Sequence, residues 1–196
     1  MNAQGGDPAR VGQDAGVPDF VLGGLVGAPA GTRQDLLAGP TLAALTALGL
    51  LDAVGVVEID PAISDTAATQ EAYGLEARQL VNCVLVGGRR DGDERVAAAL
   101  VPASKRADVN GFVRRRLDVR KASFLPRETA VEESGMEYGG ITPIGLPAAW
   151  PLLLDADAAE EPLVVIGSGV RRSKLLVPGA VLAALPNTEV SADLAR

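Results

Sequence analysis

The stretch EYGGITPIGLP, residues 137–147, places three glycines and two prolines within eleven positions. Gly139 and Gly140 can take backbone angles closed to other residues. Pro143 and Pro147 fix their own φ and push Thr142 and Leu146 toward extended conformations. The segment is no helix interior. It is either an ordinary surface loop or a pre-shaped one whose backbone N–H groups hold a ligand oxygen, and the second reading offers fixed donors for a developing oxyanion. Other chemistries find less support. The chain has no histidine, which removes Ser–His–Asp and Cys–His nucleophilic schemes, imidazole general bases and His-ligated zinc. The single cysteine, Cys83, lies in the apolar run LVNCVLV and reads as a core residue; it forms no internal disulfide, which fits a reducing cytoplasm. GSG at Gly167–Gly169 lacks the third glycine and the helix of a dinucleotide fingerprint. The acidic group Asp155, Asp157, Glu160 and Glu161 reads as a solvated helix face rather than a metal site.

Charge is distributed unevenly. The net charge of −7 does not favour nucleic acid, yet eight basic residues fall between Lys105 and Arg127 against only Asp108 and Asp118. The segment GVRRSK adds Arg171, Arg172 and Lys174. Two readings stay open, a solvated helix face and a local phosphate-binding patch.

The elements that must position these residues follow from the pattern. A chain of 196 residues, 47% hydrophobic and 3% aromatic, accommodates one domain with a core of mostly Ala, Val and Leu. Residues 1–32, rich in Gly, Pro, Ala and Asp, read as a mobile leader in which VPDFVLGGLVG could dock on the body, and 33–196 as the folded domain. Acidic residues Asp7, Asp14 and Asp19 stand where a signal peptide would be basic, and no stretch reaches the roughly 20 apolar residues of a membrane span. The protein is therefore expected in the cytoplasm. Pro40 opens a helix that Gly49 stops. VGVVEID reads as a strand, and Ser64 or Asp65 caps the helix TAATQEAY, ended by Gly74. Residues 80–101 read as a hairpin. ADVNGFVRRRL reads as an amphipathic helix with Val109, Phe112, Val113 and Leu117 inward. A strand at Ala122–Leu125, a helix from Pro126 to Gly135, strands at Leu152–Leu154, LVVIG and Leu175–Val177, a helix from Pro178 and a strand at Thr188–Val190 complete the chain. Mixed strands and helices with a hairpin give an α/β (mixed α+β) domain whose mixed sheet is partly closed and barrel-like, with helices around it.

In this order the segments DTAATQEAYGLEARQLVNCVLV, DVRKASF, GMEYGGITPIGLP and LVVIGSGVRRSKLLVPGAVLAAL resemble the YbaK/EbsC-like aminoacyl-tRNA deacylases, relatives of the editing domain inserted in bacterial prolyl-tRNA synthetases. The likeness spans roughly residues 40–192, and its most specific piece is G-x-x-x-P, Gly139 to Pro143. It implies hydrolysis of the ester of a wrongly attached amino acid, with no metal or organic cofactor. It implies catalytic positions at Asn82, Gly139, Gly140, Ile141, Thr142 and Pro143. Substrate contacts are implied at Thr66, Met136, Tyr138, Gly167, Ser168 and Gly169. The tRNA-facing set would be Arg114, Arg115, Arg116, Arg120, Lys121, Arg171, Arg172 and Lys174. Partners implied are aminoacyl-tRNA and an aminoacyl-tRNA synthetase, with no membrane.

One departure stands out. Where catalytic members of that family carry a lysine on the strand after the TA-containing helix, this chain has Asn82. Asn can hydrogen-bond a carbonyl but brings no charge. Lys121 is the replacement considered from sequence. An aminoacyl ester is already activated, so a positioned water or a substrate hydroxyl with backbone oxyanion donors would suffice for hydrolysis. Two functions remain open: a trans-editing hydrolase, and a non-catalytic protein of the same fold that binds a tRNA 3′ end or nucleotide.

Overall fold

The computed structural model describes residues 20–196, and residues 1–19 of the expected leader lie outside the described residues. In chain order the strands are β1 (Val21–Leu22), β2 (Leu25–Val26), β3 (Ala28–Pro29), β4 (Gly55–Glu58), β5 (Val81–Arg90), β6 (Asp93–Pro102), β7 (Ala122–Phe124), β8 (Leu152–Asp155), β9 (Val164–Gly167), β10 (Ser173–Val177) and β11 (Thr188–Ser191). The α-helices are α1 (Gly39–Ala47), α2 (Thr66–Tyr73), α3 (Arg114–Arg116), α4 (Arg127–Ser134), α5 (Ala156–Glu160) and α6 (Gly179–Ala183).

The strands form a five-stranded sheet ordered β11-β8-β6-β5-β7, a four-stranded sheet ordered β3-β4-β10-β9, and the β1-β2 hairpin. A parallel bridge between Leu80 and Val165 joins the start of β5 to β9. This is a mixed α+β domain. Among the described residues no sheet closes on itself, so the expected barrel-like element is two linked open sheets.

Strand β6 shows how the layers form. Successive side chains on a strand point to opposite faces. Val96, Ala98 and Leu100 enter the larger core, whereas Ala97, Ala99 and Val101 enter a second core under the basic helix. Both faces are thus covered, and small alanines let the layers approach closely. Truncating Leu100 would cost about 2–5 kcal/mol, the usual range for a buried Leu→Ala change.

The helices obey their end signals. Asp65 caps α2 by accepting from the Ala68 N–H at 3.0 Å, and Gly74 ends it in the left-handed region. Gly135 ends α4 in the same way. The helix expected over ADVNGFVRRRL starts as a π-turn, Val109–Val113, before α3. The Asp108 carboxylate accepts from Phe112 N–H at 3.1 Å and Gly111 N–H at 2.9 Å, and these bonds hold it below the usual carboxylate range.

Two sequence readings need correction. Residues 20–32, counted with the leader, are part of the fold: Phe20 and Leu25 are buried in a third core with Leu176, and β3 pairs with β4. The acidic group 155–161 is no uniform solvated face. Asp155 is fully buried and bonded to Lys105 Nζ at 2.8 Å, while Glu161 meets Arg78 at 2.7 Å. Lys105 also reaches Asp157 at 2.7 Å, and burial of Asp155 is tolerable because that cation comes with it.

Candidate functional site

A cavity of about 490 Å³ is bounded by the entry to α2, the first half of β5, the 137–147 loop and the β9–β10 pair. Its apolar lining includes Val81, Leu85, Ala130, Ile141, Val165 and Ile166. Ser64, Asp65, Thr66, Asn82 and Lys174 also line it. A few polar groups in an apolar cavity are the usual makeup of a small-ligand site.

The cap that starts α2 brings Ser64, Asp65 and Thr66 to this cavity. Thr66 Oγ1 donates to Asn82 Oδ1 at 2.6 Å, which occupies the amide oxygen and leaves the Asn82 NH₂ as a donor. Cys83 lines the same wall, but desolvation pushes its thiol up to about 12, so it carries no thiolate at neutral pH.

The 137–147 loop divides its N–H groups. Gly140 N–H donates to Glu137 O at 2.9 Å, and Thr142 N–H points at Met136 Sδ at 3.5 Å. Among the described residues, the N–H groups of Gly139 and Ile141 have no hydrogen-bond partner, and both residues line the cavity. Gly139 takes a φ of +88°, a conformation that side-chain-bearing residues rarely adopt. The loop is clamped from behind. Gly169 N–H donates to Gly140 O at 2.7 Å, and Arg171 N–H donates to Glu137 Oε2 at 2.7 Å. A Cβ on Gly167 would lie 2.3 Å from Gly140 O and 2.6 Å from Ile141 O, so only glycine permits that approach.

At the rim, Phe124 is 64% exposed and Tyr138 is 50% exposed. The Arg127 guanidinium carbon sits 4.8 Å from the Tyr138 ring centre. Two of the chain's six aromatics are therefore exposed beside one cavity. Exposed aromatics at a cavity rim suit stacking on a flat ligand.

Several expected site residues lie elsewhere. Asn82, Gly139, Ile141, Thr66, Tyr138 and Gly167 line the cavity; Gly140, Thr142 and Pro143 are buried behind it. Met136 supports the loop from the core, and Ser168 is buried with its hydroxyl 2.7 Å from that of Ser173. Gly169 N–H holds the loop, as described above. Arg114, Arg115 and Arg116 form α3, where Arg116 pairs with Glu189 and Arg114 Nε donates to Asn110 O at 2.8 Å. Arg120 is exposed near Asp91, and Lys121 is exposed outside the cavity lining. Arg171 donates to Pro61 O at 3.0 Å, and Arg172 reaches Asp35 O.

Lys174 does not belong to a surface patch. It is 8% exposed, and its Nζ donates to Ser64 O at 2.7 Å. Burial, with Arg171 adding to it and Asp65 opposing, pushes its amine down to about 8. Sequence reasoning missed Ser64, Asp65 and Phe124 as lining residues. A cap residue pair before α2 was the available signal for the first two.

Comparisons with known proteins bear on the same region. The family model described as the aminoacyl-tRNA editing domain matches residues 60–185, which include Ser64, Asn82, the loop and Lys174. A crystal structure described as a candidate trans-editing enzyme for prolyl tRNA synthetase is similar at 25% identity and a TM-score of 0.68, covering 86% of this chain and 98% of its own. A scaffold from a study of computational epitope backbone grafting has 25% identity and a TM-score of 0.69, covering 81% and 97%. The hypothetical protein APE2540 shares the fold, with 20% identity, a TM-score of 0.69 and coverage of 80% and 99%. No curated protein matches the chain.

Proposed function

Because the chain belongs to the aminoacyl-tRNA editing domain family, we propose that it is a trans-editing hydrolase that cleaves the ester of an amino acid wrongly attached to tRNA. Water, or the hydroxyl beside the ester on the terminal ribose relaying water's proton, serves as the attacking group or proton relay. As water's oxygen bonds to the carbonyl carbon, the carbonyl oxygen takes the π electron pair. Collapse breaks the bond to the ribose oxygen, which receives the proton that water loses. The products are free amino acid and uncharged tRNA.

The protein's task in this scheme is orientation and oxyanion stabilisation. The observation that carries the reading is that Gly139 and Ile141, whose N–H groups are unengaged among the described residues, line one cavity with Asn82. The apolar wall suits an amino-acid side chain. The Phe124 and Tyr138 rim suits the terminal base, since base–aromatic stacking tolerates any base. The arginines of α3, with Arg171 and Arg172, are proposed to meet backbone phosphates, which makes binding salt-dependent. The reaction is placed in the cytoplasm, with a synthetase as a candidate partner because one similar structure is described by that association.

The test is release of free amino acid from a panel of aminoacyl-tRNAs, each carrying one amino acid. Release above the uncatalysed rate from at least one member is expected. A second reading, a tRNA-end-binding protein without hydrolysis, is favoured by Asn82 standing where the resemblance leads one to expect lysine. Tight binding of uncharged tRNA with no release across the panel would establish that second reading.

A further inference from the structure

A buried ammonium without an opposing carboxylate is costly unless something in its surroundings uses the charge. Lys174 is such a group. It sits in β10, between β4 and β9, within the run Ser173–Val177 whose five residues are all buried. One of its three donors is engaged by Ser64 O at 2.7 Å. Among the described residues, no carboxylate lies within ion-pair distance of its Nζ. Among the described residues it is also the only lysine or arginine lining the cavity.

The sheet sets the direction of this side chain. Lys174 stands opposite Gly167 in the antiparallel β9–β10 pair, and directly opposed residues share a face. On that face a Gly167 Cβ would touch the Gly140 and Ile141 carbonyl oxygens, so it is the face on which the 137–147 loop lies. The chain of Lys174 runs along it to Ser64, at the entry to α2. Ser64 supplies an independent sign of a ligand-binding site. It is 1% exposed, lines the cavity, and its hydroxyl has no hydrogen-bond partner among the described residues. A buried hydroxyl left unpaired is destabilising, and an incoming oxygen would satisfy it.

We infer that Lys174 is a catalytic residue of this pocket, its ammonium donating to the ester carbonyl oxygen as that oxygen becomes an oxyanion, with the Ser64 hydroxyl as a second donor. The inference rests on the hydrolase reading above. Lys174 supplies the full positive charge that Asn82 lacks, from a different strand lining the same cavity. The charged groups acting on it are Arg171, from the β9–β10 turn, and Asp65, at the cap of α2. With its amine pushed down to about 8, Lys174 is mainly cationic at neutral pH and loses its charge above that value. A bound oxyanion raises the value again.

The experiment is single-turnover deacylation across the aminoacyl-tRNA panel, from about pH 6 to pH 9.5 with uncatalysed hydrolysis subtracted. It uses wild type, Lys174→Met and Ser64→Ala, with the fold of each checked by circular dichroism. Wild-type rate should fall as pH rises past about 8. Lys174→Met should lose about 10²–10³-fold, the usual cost of one oxyanion donor, and its residual rate should lose that fall. Ser64→Ala should lose roughly tenfold. If Lys174→Met does not fold, the wild-type profile and Ser64→Ala decide. A Lys174→Met rate within about twofold of wild type, or a wild-type rate still rising through pH 9.5 with Ser64→Ala unaffected, overturns the inference and leaves the hydrolase standing. Wild type inert on the whole panel overturns the hydrolase reading and this inference with it.

Discussion

Replacing Gly167 with Ala tests how tightly the 137–147 loop, the proposed source of oxyanion donors, is set. The added Cβ would start 2.3 Å from Gly140 O and 2.6 Å from Ile141 O, whereas real Cβ contacts essentially never fall below 3.0 Å. The obstructing atoms are backbone, and Gly140 O is held by Gly169 N–H at 2.7 Å, so no flexible side chain can yield. The loop must retreat by at least about 0.7 Å to clear the first contact alone. That retreat moves the Gly139 and Ile141 N–H groups with it. A misplacement near 1 Å costs about 10²-fold in rate, while overpacking of this kind costs about 1–3 kcal/mol of stability. Single-turnover deacylation at a temperature where the variant remains folded, with thermal unfolding measured in parallel, separates the two effects. Gly139→Ala is the comparison, since its Cβ meets the end of the Arg171 side chain rather than backbone, and the positive φ adds its own penalty. A Gly167→Ala enzyme within about twofold of wild type would refute the claim that the loop's position matters.

Phe124→Ala and Tyr138→Ala should each weaken binding of tRNA or its 3′-terminal fragment by about 1–3 kcal/mol if both stack on a base, with little effect on the bound-state rate; fluorescence-anisotropy titration measures it. Lys105→Met leaves the Asp155 carboxylate buried without its cation and should destabilise by about 3–5 kcal/mol, read from denaturant unfolding. The Lys174 amine, at about 8 when folded against an ordinary 10.5, makes the native state bind fewer protons than the unfolded state between those values. Unfolding free energy from this group therefore rises with pH across the window, by up to about 1.4 kcal/mol per unit, and the rise should vanish in Lys174→Met.

The fold was largely legible in the sequence because its signals are local. Helix α2 has a cap at Asp65 and a stop at Gly74, and the β5–β6 hairpin is two apolar runs around a polar tip. The two-residue strands β1, β2 and β3 were not legible, because their order depends on Phe20 and Leu25 packing against distant residues such as Leu176. Asp155 misled for a related reason: its partner Lys105 is fifty positions away. The candidate site was legible at Asn82, Gly139 and Ile141. It was not legible which loop N–H groups are engaged, since that depends on Glu137 O and Met136 Sδ. Lys174 was hidden by its neighbours. In GVRRSK it reads as a third surface cation after Arg171 and Arg172, and only its place in a central strand shows that it faces inward.

The most direct measurement of the central claim uses a 3′-aminoacylamino-adenosine, whose amide resists hydrolysis, added to ¹⁵N-labelled protein and followed by amide resonances. The proposed site predicts the largest shifts at Gly139 and Ile141, whose N–H groups are unengaged, and smaller ones at Gly140 and Thr142, whose N–H groups already have partners. Saturable shifts confined to other surfaces, with Gly139 and Ile141 unchanged, would contradict the assignment of this loop as the ester-binding element.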